Sequence, residues 1–385
     1  MKTVGLVTFP RYWNYGTQLQ LVALQTVIER LAYRCEVIDY ARESRTESQP
    51  SRWERAWQRL RAAPSFLRSF NERLYERRVA ALTATRGALF QRFFEQHIRL
   101  GKTRYRSFEE IRANPPSCDA FVVGSDQVWN PHGHWNDQTY YLAFAPHSRR
   151  VAYAPSIGVS ELPSGAAEWM RGGLEDMAHL SVREPEGARL IHEVCGREAA
   201  VVLDPTLLLS QVDWRLLAVT AQQPRPYVLC YVLQSDVYIR DRAREIAERL
   251  GADLVMIPVN RRDIDDPAAD IRKAWDVGPA EFLGLIAGAS CVCTDSFHGT
   301  VLSILFRRPF FVFRRYADSL EATVHSRIDH LLSITGLTHR EMTPDTPIPP
   351  SPETLDYARV SELLEPWREK SLSFLDSALR DATRS

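Results

Sequence analysis

The stretch "TDSFHGTVLS" at 294–303 sets His298 between an aromatic residue and Gly299, directly after the apolar run "GLIAGASCVC". Imidazole both takes and gives protons near neutrality, which makes His298 a candidate general acid. Asp295 and Ser296 precede it where a strand should end and a helix begin, and a helix start attracts anions. Gly299 removes a side chain from beside the ring and is expected to open access to it. A packed ring at a helix start is the alternative. No H-x-x-x-H or H-E-x-x-H pattern accompanies the histidine, so spacing offers no metal site.

A second cluster, "GSDQVWNP" at 124–131, crowds Ser125, Asp126, Gln127, Trp129 and Asn130 onto one strand end. A carboxylate and an amide suit sugar hydroxyls, and an aromatic face suits a sugar ring. Asp126 is therefore a candidate base toward a hydroxyl, with Trp129 as a platform; a helix-capping loop is the alternative. In "WNYGTQLQ" at 13–20, Asn14, Tyr15 and Gly16 lie between a strand and a helix, where a glycine lets a ligand approach unpaired N–H groups. Arg183 ends the strand-like "LSV" and could grip a carboxylate or phosphate through two parallel hydrogen bonds, or pair with Glu184. Neither G-x-G-x-x-G nor G-x-x-x-x-G-K-[ST] occurs, which disfavours dinucleotide and P-loop sites. His132 and His134 read as solvated.

These groups need strand ends to hold them. Residues 3–9, "CEVIDY", "AFVVGSD", "VAYAPS", "LSVRE" and "AVVLDPT" each run from apolar residues into polar ones, with "LQLVALQTVIERL" as a helix between the first two. In a parallel sheet the carboxyl ends of strands form the ligand crevice, which places Ser125, Asp126, Gln127, Ser156, Arg183, Glu184 and Asp204 there. The pattern restarts with "PYVLCYVL", "ADLVMIPV", "SCVCTDS" and "FFVFRR", separated by helical segments. The expectation is an α/β protein of two Rossmann-like domains facing a cleft, at 1–210 and 211–385, with helices near 325–336 and 357–383. Residues 41–112 hold 17 Arg or Lys against 8 Asp or Glu, with aromatics from Trp53 and Trp57 to Phe94. They read as a basic helical insertion in the first domain, either a solvated face over a core stripe or a surface for peripheral membrane contact.

At 385 residues and 45% hydrophobic, the chain can fill two cores. Its formal charge of zero advertises no nucleic-acid partner. Lysine occurs only at Lys2, Lys102, Lys273 and Lys370, so nearly all positive charge is arginine, whose fork suits carboxylate and phosphate. The six cysteines are scattered without a C-x-x-C pair and read as buried thiols of a cytoplasmic protein, although Cys291 and Cys293 share a strand face and could flank the site. The apolar run at the start is too short for a signal sequence or a span.

Taken in order, "GLVTFPRYWNYGTQLQLVALQ", "CEVIDY", "DAFVVGSDQVWNP", "VAYAPSIGVS", "LSVREPEGARLI", "VVLDPTLLL", "DVGPAEFLGLIAGASCVCTDSFHGTVLSILFRRPFFVF" and "SRIDHLL" resemble the polysaccharide pyruvyl transferase family over most of the chain. The resemblance implies a GT-B-like pair of domains, acceptor on the N-terminal side and donor on the C-terminal side. It implies transfer of pyruvate from phosphoenolpyruvate to two hydroxyls of a sugar, free or lipid-linked, in exopolysaccharide biosynthesis, with no metal or organic cofactor and a site in the cytoplasm or at the inner face of the membrane. On this basis His298 is the essential histidine, Arg183 an anion-binding arginine and Arg327 a second. Members often carry an arginine two residues before the histidine; here Ser296 stands, and Arg307, Arg308, Arg314 and Arg315 are candidates to replace it. A GT-B glycosyltransferase using a nucleotide sugar, with Asp295 near the ribose, and a non-catalytic scaffold of polysaccharide assembly are the rival readings.

Overall fold

A computed structural model describes residues 1–41, 65–132, 137–220, 223–233, 237–259, 261–265, 268, 270–314, 326–349 and 355–384. Trp53, Trp57, His134 and Arg315 lie outside the described residues.

The first half carries β1 (Thr3–Val7), β2 (Arg34–Tyr40), β3 (Leu100–Tyr105), β4 (Ala120–Val123), β5 (Arg150–Ala152), β6 (His179–Val182) and β7 (Ala200–Val201). Its helices are α1 (Tyr15–Arg30), α2 (Ser65–His97), α3 (Phe108–Ala113), α4 (Ala166–Glu175) and α5 (Pro185–Cys195). The second half carries β8 (Tyr227–Tyr231), β9 (Asp253–Met256), β10 (Ile271–Lys273), β11 (Cys291–Thr294), β12 (Phe310–Phe313) and β13 (Glu341–Met342). Its helices are α6 (Gln211–Leu217), α7 (Val237–Arg249), α8 (Arg261–Asp265), α9 (Pro279–Gly288), α10 (Phe297–Leu305), α11 (Ser326–Thr335) and α12 (Tyr357–Ala382).

The strands form two sheets, ordered β3-β2-β1-β4-β5-β6-β7 and β10-β9-β8-β11-β12-β13, and every pairing between named strands is parallel. Strands covered by helices on both faces must be apolar throughout, which is why β4 "AFVV", β8 "YVLCY" and β12 "FFVF" are buried at every residue. In each sheet the order reverses once, between β1 and β4 and between β8 and β11. Those switch points are where an open α/β sheet leaves a crevice.

The long basic helix α2 is the crossover from β2 to β3, since a parallel pair needs a helix to bring the chain back. Where its side chains are described it has an exposed face, with Arg77, Arg78 and Arg92 in solvent, over buried Phe90, Phe93 and Phe94, and it also reaches the second half: Arg86 donates to the carbonyls of Pro258 (2.6 Å), Trp275 (3.1 Å) and Ala274 (3.2 Å). Arg92 pairs with Glu281 and Arg78 with Asp265. Helix α12 ties the halves a second time. Its start lies by α10, with Tyr357 donating to the Arg308 carbonyl, and its later turns cover the first sheet, where Ser371 accepts from Leu203 N at 2.9 Å. One hydrophobic core runs without a break from Leu19 and Leu24 of α1 through Tyr15 to Phe282 of α9 and Val301 of α10. Separate clusters around Trp129 and Ile191, and around Ile246 and Cys293, fill the outer faces of the two sheets. Among the described residues no helix is long and apolar enough to cross a membrane.

Candidate active site

A cleft of about 490 Å³ opens between the two sheets. Its walls are the segments that leave the strands at the two switch points: Asn14 and Thr17 after β1, Asp126 and Gln127 after β4, Leu233 after β8, and Asp295 to His298 after β11. Arg327 of α11 completes it. Helices α1 and α10 begin at this cleft, and a helix start is suited to an anion. Asn14 caps α1 by accepting from Thr17 N, and Ser296 caps α10 by accepting from Gly299 N at 3.3 Å. Asp295 accepts from Leu233 N at 2.7 Å and so fixes the loop after β8.

His298 sits at the floor, nearly buried, on the second residue of α10. Its Nε2 lies 3.6 Å from Asp204 Oδ2. Its Nδ1 lies over Gly16 of α1, where a Cβ would stand only 2.0 Å from it. The histidine of the second half is thus seated on the first half by a glycine and a carboxylate.

Asp204 is fully buried and both its oxygens are engaged. Oδ1 accepts from Thr206 N (3.0 Å) and Thr206 Oγ1 (2.6 Å), and Oδ2 from Ser125 Oγ (2.8 Å) and Arg183 Nη1 (2.7 Å). Burial opposes its ionisation, yet the charges of His298 and Arg183 and the Thr206 hydroxyl hold it well below the usual carboxylate range. Burial alone would lower the Arg183 guanidinium, but Asp204, Glu184 and Asp126 raise it.

Asp126 occupies the left-handed region at φ +80°, a conformation that costs a non-glycine residue about 1–3 kcal/mol. The surroundings enforce it: Ser156 N donates to its carbonyl at 2.8 Å, Gln127 N to Oδ1 at 2.8 Å, and Thr17 Oγ1 to Oδ2. Asp126 lines the cleft. Beside it, with its amide oxygen turned toward α11, Gln127 accepts from Arg327 Nη2 (2.6 Å) and Nη1 (3.0 Å).

The expected residues therefore divide. His298, Asp126, Gln127, Asn14, Ser296 and Arg327 line the cleft. Ser125 and Arg183 lie behind it, with Arg183 3% exposed and its guanidinium 4.6 Å from the centre of the Phe297 ring. Tyr15 packs at the junction, its hydroxyl donating to Val277 O, and burial pushes its phenol well up. Trp129, expected as a sugar platform, is fully buried, its indole N–H spent on the Tyr140 carbonyl and its ring stacked on Tyr141. Phe9, Tyr12 and Phe297 are the aromatic residues at the cleft, while Trp13 stacks on Phe90 over a smaller recess alongside. Gly299 does not open access to His298. It lets α10 approach β11, since a Cβ there would meet Thr294 Oγ1 at 2.6 Å, and Gly16 is the residue that makes room for the ring.

Glu184 holds the 156–158 loop through Ser156 Oγ, Ile157 N and Gly158 N. Arg307 and Arg308 follow the far end of α10, about 13 Å along its axis from His298, and Arg314 is engaged by Glu341 and Asp329. Arg327 is the one arginine among the described residues lining the cleft. Cys291 and Cys293 are buried within β11, outside the cleft, and burial raises the Cys293 thiol. His132, in contrast, lines the cleft mouth. Among the described residues no group of three or more His, Cys, Asp or Glu side chains could hold a metal ion. Asp204, visible in sequence only as one of several strand-end carboxylates, is the residue whose importance the structure adds.

Comparison with known proteins bears on this geometry. The model of one family, described as polysaccharide pyruvyl transferase, matches residues 14–315. Comparison with curated proteins finds no match. Among solved structures, the chain is similar to UDP-GlcNAc 2-epimerase from Methanocaldococcus jannaschii at 12% identity and TM-score 0.49, covering 94% of this chain and 91% of that one. It is also similar to UDP-GlcNAc 2-epimerase from Neisseria meningitidis at 11% identity and TM-score 0.47, covering 96% and 100%. Spinosyn forosaminyltransferase aligns at 12% identity and TM-score 0.41, covering 100% and 95%.

Proposed function

Because the chain belongs to the polysaccharide pyruvyl transferase family, we propose that it moves pyruvate from phosphoenolpyruvate onto two hydroxyls of a sugar in a cell-surface polysaccharide or its precursor, releasing phosphate. The observation that carries this reading is His298 at the floor of an anion-suited cleft, opposite Asp126.

In the proposed reaction His298 gives a proton to the methylene carbon of phosphoenolpyruvate, a C–H bond forms from the double bond, and C2 becomes cationic. A sugar hydroxyl bonds to C2 as its proton passes to Asp126. The C2–O bond to phosphate breaks, phosphate leaving with the electron pair. A second hydroxyl closes the ketal, its proton departing with phosphate, and the proton on Asp126 returns to His298 through solvent. Arg327 and the starts of α1 and α10 hold the donor's carboxylate and phosphate, and fixed donors of this kind also stabilise the charge that develops. The half to residue 210 would take the acceptor and residues 211–385 the donor, without metal or organic cofactor. A lipid-linked acceptor would bring the enzyme to the inner face of the membrane.

The test is mass spectrometry of candidate sugar and lipid-linked acceptors after incubation with phosphoenolpyruvate, where a pyruvyl ketal with stoichiometric phosphate is expected. Thermal stabilisation by nucleotide sugars but not by phosphoenolpyruvate, with no ketal formed, would overturn the reading in favour of a glycosyltransferase.

A further inference from the structure

The two nitrogens of His298 stand in different surroundings. Nε2 is sealed from solvent, makes no conventional hydrogen bond, and faces Asp204 Oδ2 at 3.6 Å. Nδ1 lies over the bare Cα of Gly16, and the ring contributes to the cleft wall. The distance to Asp204 exceeds a normal N–H···O bond by about 0.5 Å, and catalytic hydrogen bonds commonly tighten only when substrate is bound.

We propose that Asp204 is the positioning residue for His298, drawing the Nε2–H inward across the junction between the halves so that Nδ1 is the nitrogen that serves the cleft. An anion that both faces a ring nitrogen and is held rigid selects the tautomer with the proton on that nitrogen. Asp204 is rigid because Ser125, Arg183 and Thr206 engage both its oxygens. From the first half Asp204, Glu184 and Asp126 are set against Arg183, and from the second Asp295 and Arg327 line the same cleft. Resting on the pyruvyl-transfer reading, the proton leaves from Nδ1: that N–H bond breaks, the new C–H bond forms at the methylene carbon, and the ring returns to neutral with its remaining proton on Nε2. Gly16 makes room for the ring itself, since a Cβ there would stand 2.0 Å from Nδ1, 2.6 Å from Cγ and 2.7 Å from Cε1.

The test uses the full chain labelled with 15N-histidine, the His298 signals being those lost in His298→Gln. At a pH where the ring is neutral, the expected spectrum shows Nε2 protonated and Nδ1 bare; the opposite tautomer overturns the proposal. This measurement needs no substrate, so its failure is distinct from a failure to find ketal product. In Asp204→Asn, kcat is expected to fall at least about tenfold with KM for phosphoenolpyruvate little changed, and the alkaline limb of the kcat profile to move to lower pH. A folded Asp204→Asn protein with wild-type kcat and pH profile would also overturn it. If that variant does not fold, the wild-type tautomer decides alone.

Discussion

Gln127 and Arg327 meet at the cleft: with the Gln127 amide oxygen turned toward α11, it accepts from both terminal nitrogens of the guanidinium. That contact aims the one cleft-lining arginine among the described residues. Arg327→Ala is expected to raise KM for phosphoenolpyruvate about 10–100-fold, the equivalent of a charged hydrogen bond worth about 1.5–3 kcal/mol. Gln127→Ala should do the same more weakly. Phosphate release under steady-state conditions measures both.

Replacing His298 with alanine takes away the proposed proton donor while leaving Arg327 and the helix starts in place. Transfer should drop by about 10²–10⁴-fold, and thermal stabilisation by phosphoenolpyruvate should persist. Turnover at the wild-type rate would remove the ring from the reaction.

Two glycines give opposite expectations. At Gly16 an added methyl collides with His298 Nδ1, and overpacking of that kind costs about 1–3 kcal/mol, so Gly16→Ala should lose both stability and activity. At Gly172 on α4 a Cβ meets nothing within 4 Å, and Gly172→Ala should gain about 0.4–1 kcal/mol with activity unchanged. Urea unfolding paired with an activity assay separates the two.

The lowered pKa of Asp204 has a signed consequence for stability. A carboxyl that holds its proton less tightly when folded than when unfolded stabilises the fold above the ordinary carboxylate range and loses that contribution as pH falls through and below it. Asp204→Asn, which removes the charge hydrogen-bonded to buried Arg183 and leaves Glu184 at 3.9 Å as its nearest carboxylate, should cost about 3–5 kcal/mol near neutrality. The gap between variant and wild type should narrow as pH is lowered below about 4, read from denaturant midpoints at each pH. A gap constant with pH would detach the Asp204 charge from folding.

Much of this site was legible before any coordinates because parallel strands buried on both faces leave long apolar runs, and those runs end where β1, β4, β8 and β11 end. Asp126, Gln127, Ser296 and His298 follow such runs directly. Trp129 follows one too, and nothing local distinguishes an indole that turns toward the cleft from one that turns under Tyr141. The choice is made by Tyr140, whose carbonyl takes the indole N–H. Gly16 and Gly299 are a similar case, since which of them makes room for the imidazole depends on how α1 and α10 cross. Asp204 owes its meaning to a histidine in the other half, a pairing that exists only once the two sheets face each other. Arg183 has the chemistry of an anion binder and is used instead to brace that pairing.

The core that passes from Leu19 through Tyr15 to Phe282, with α2 and α12 each reaching across, has a consequence for how the chain comes apart. Two sheets of this size could melt independently if only a polar surface joined them. Here the first sheet would have to expose the flank of the second in order to unfold, so the energetic unit is the whole described chain. Heating should give a single calorimetric transition whose van't Hoff and measured enthalpies agree.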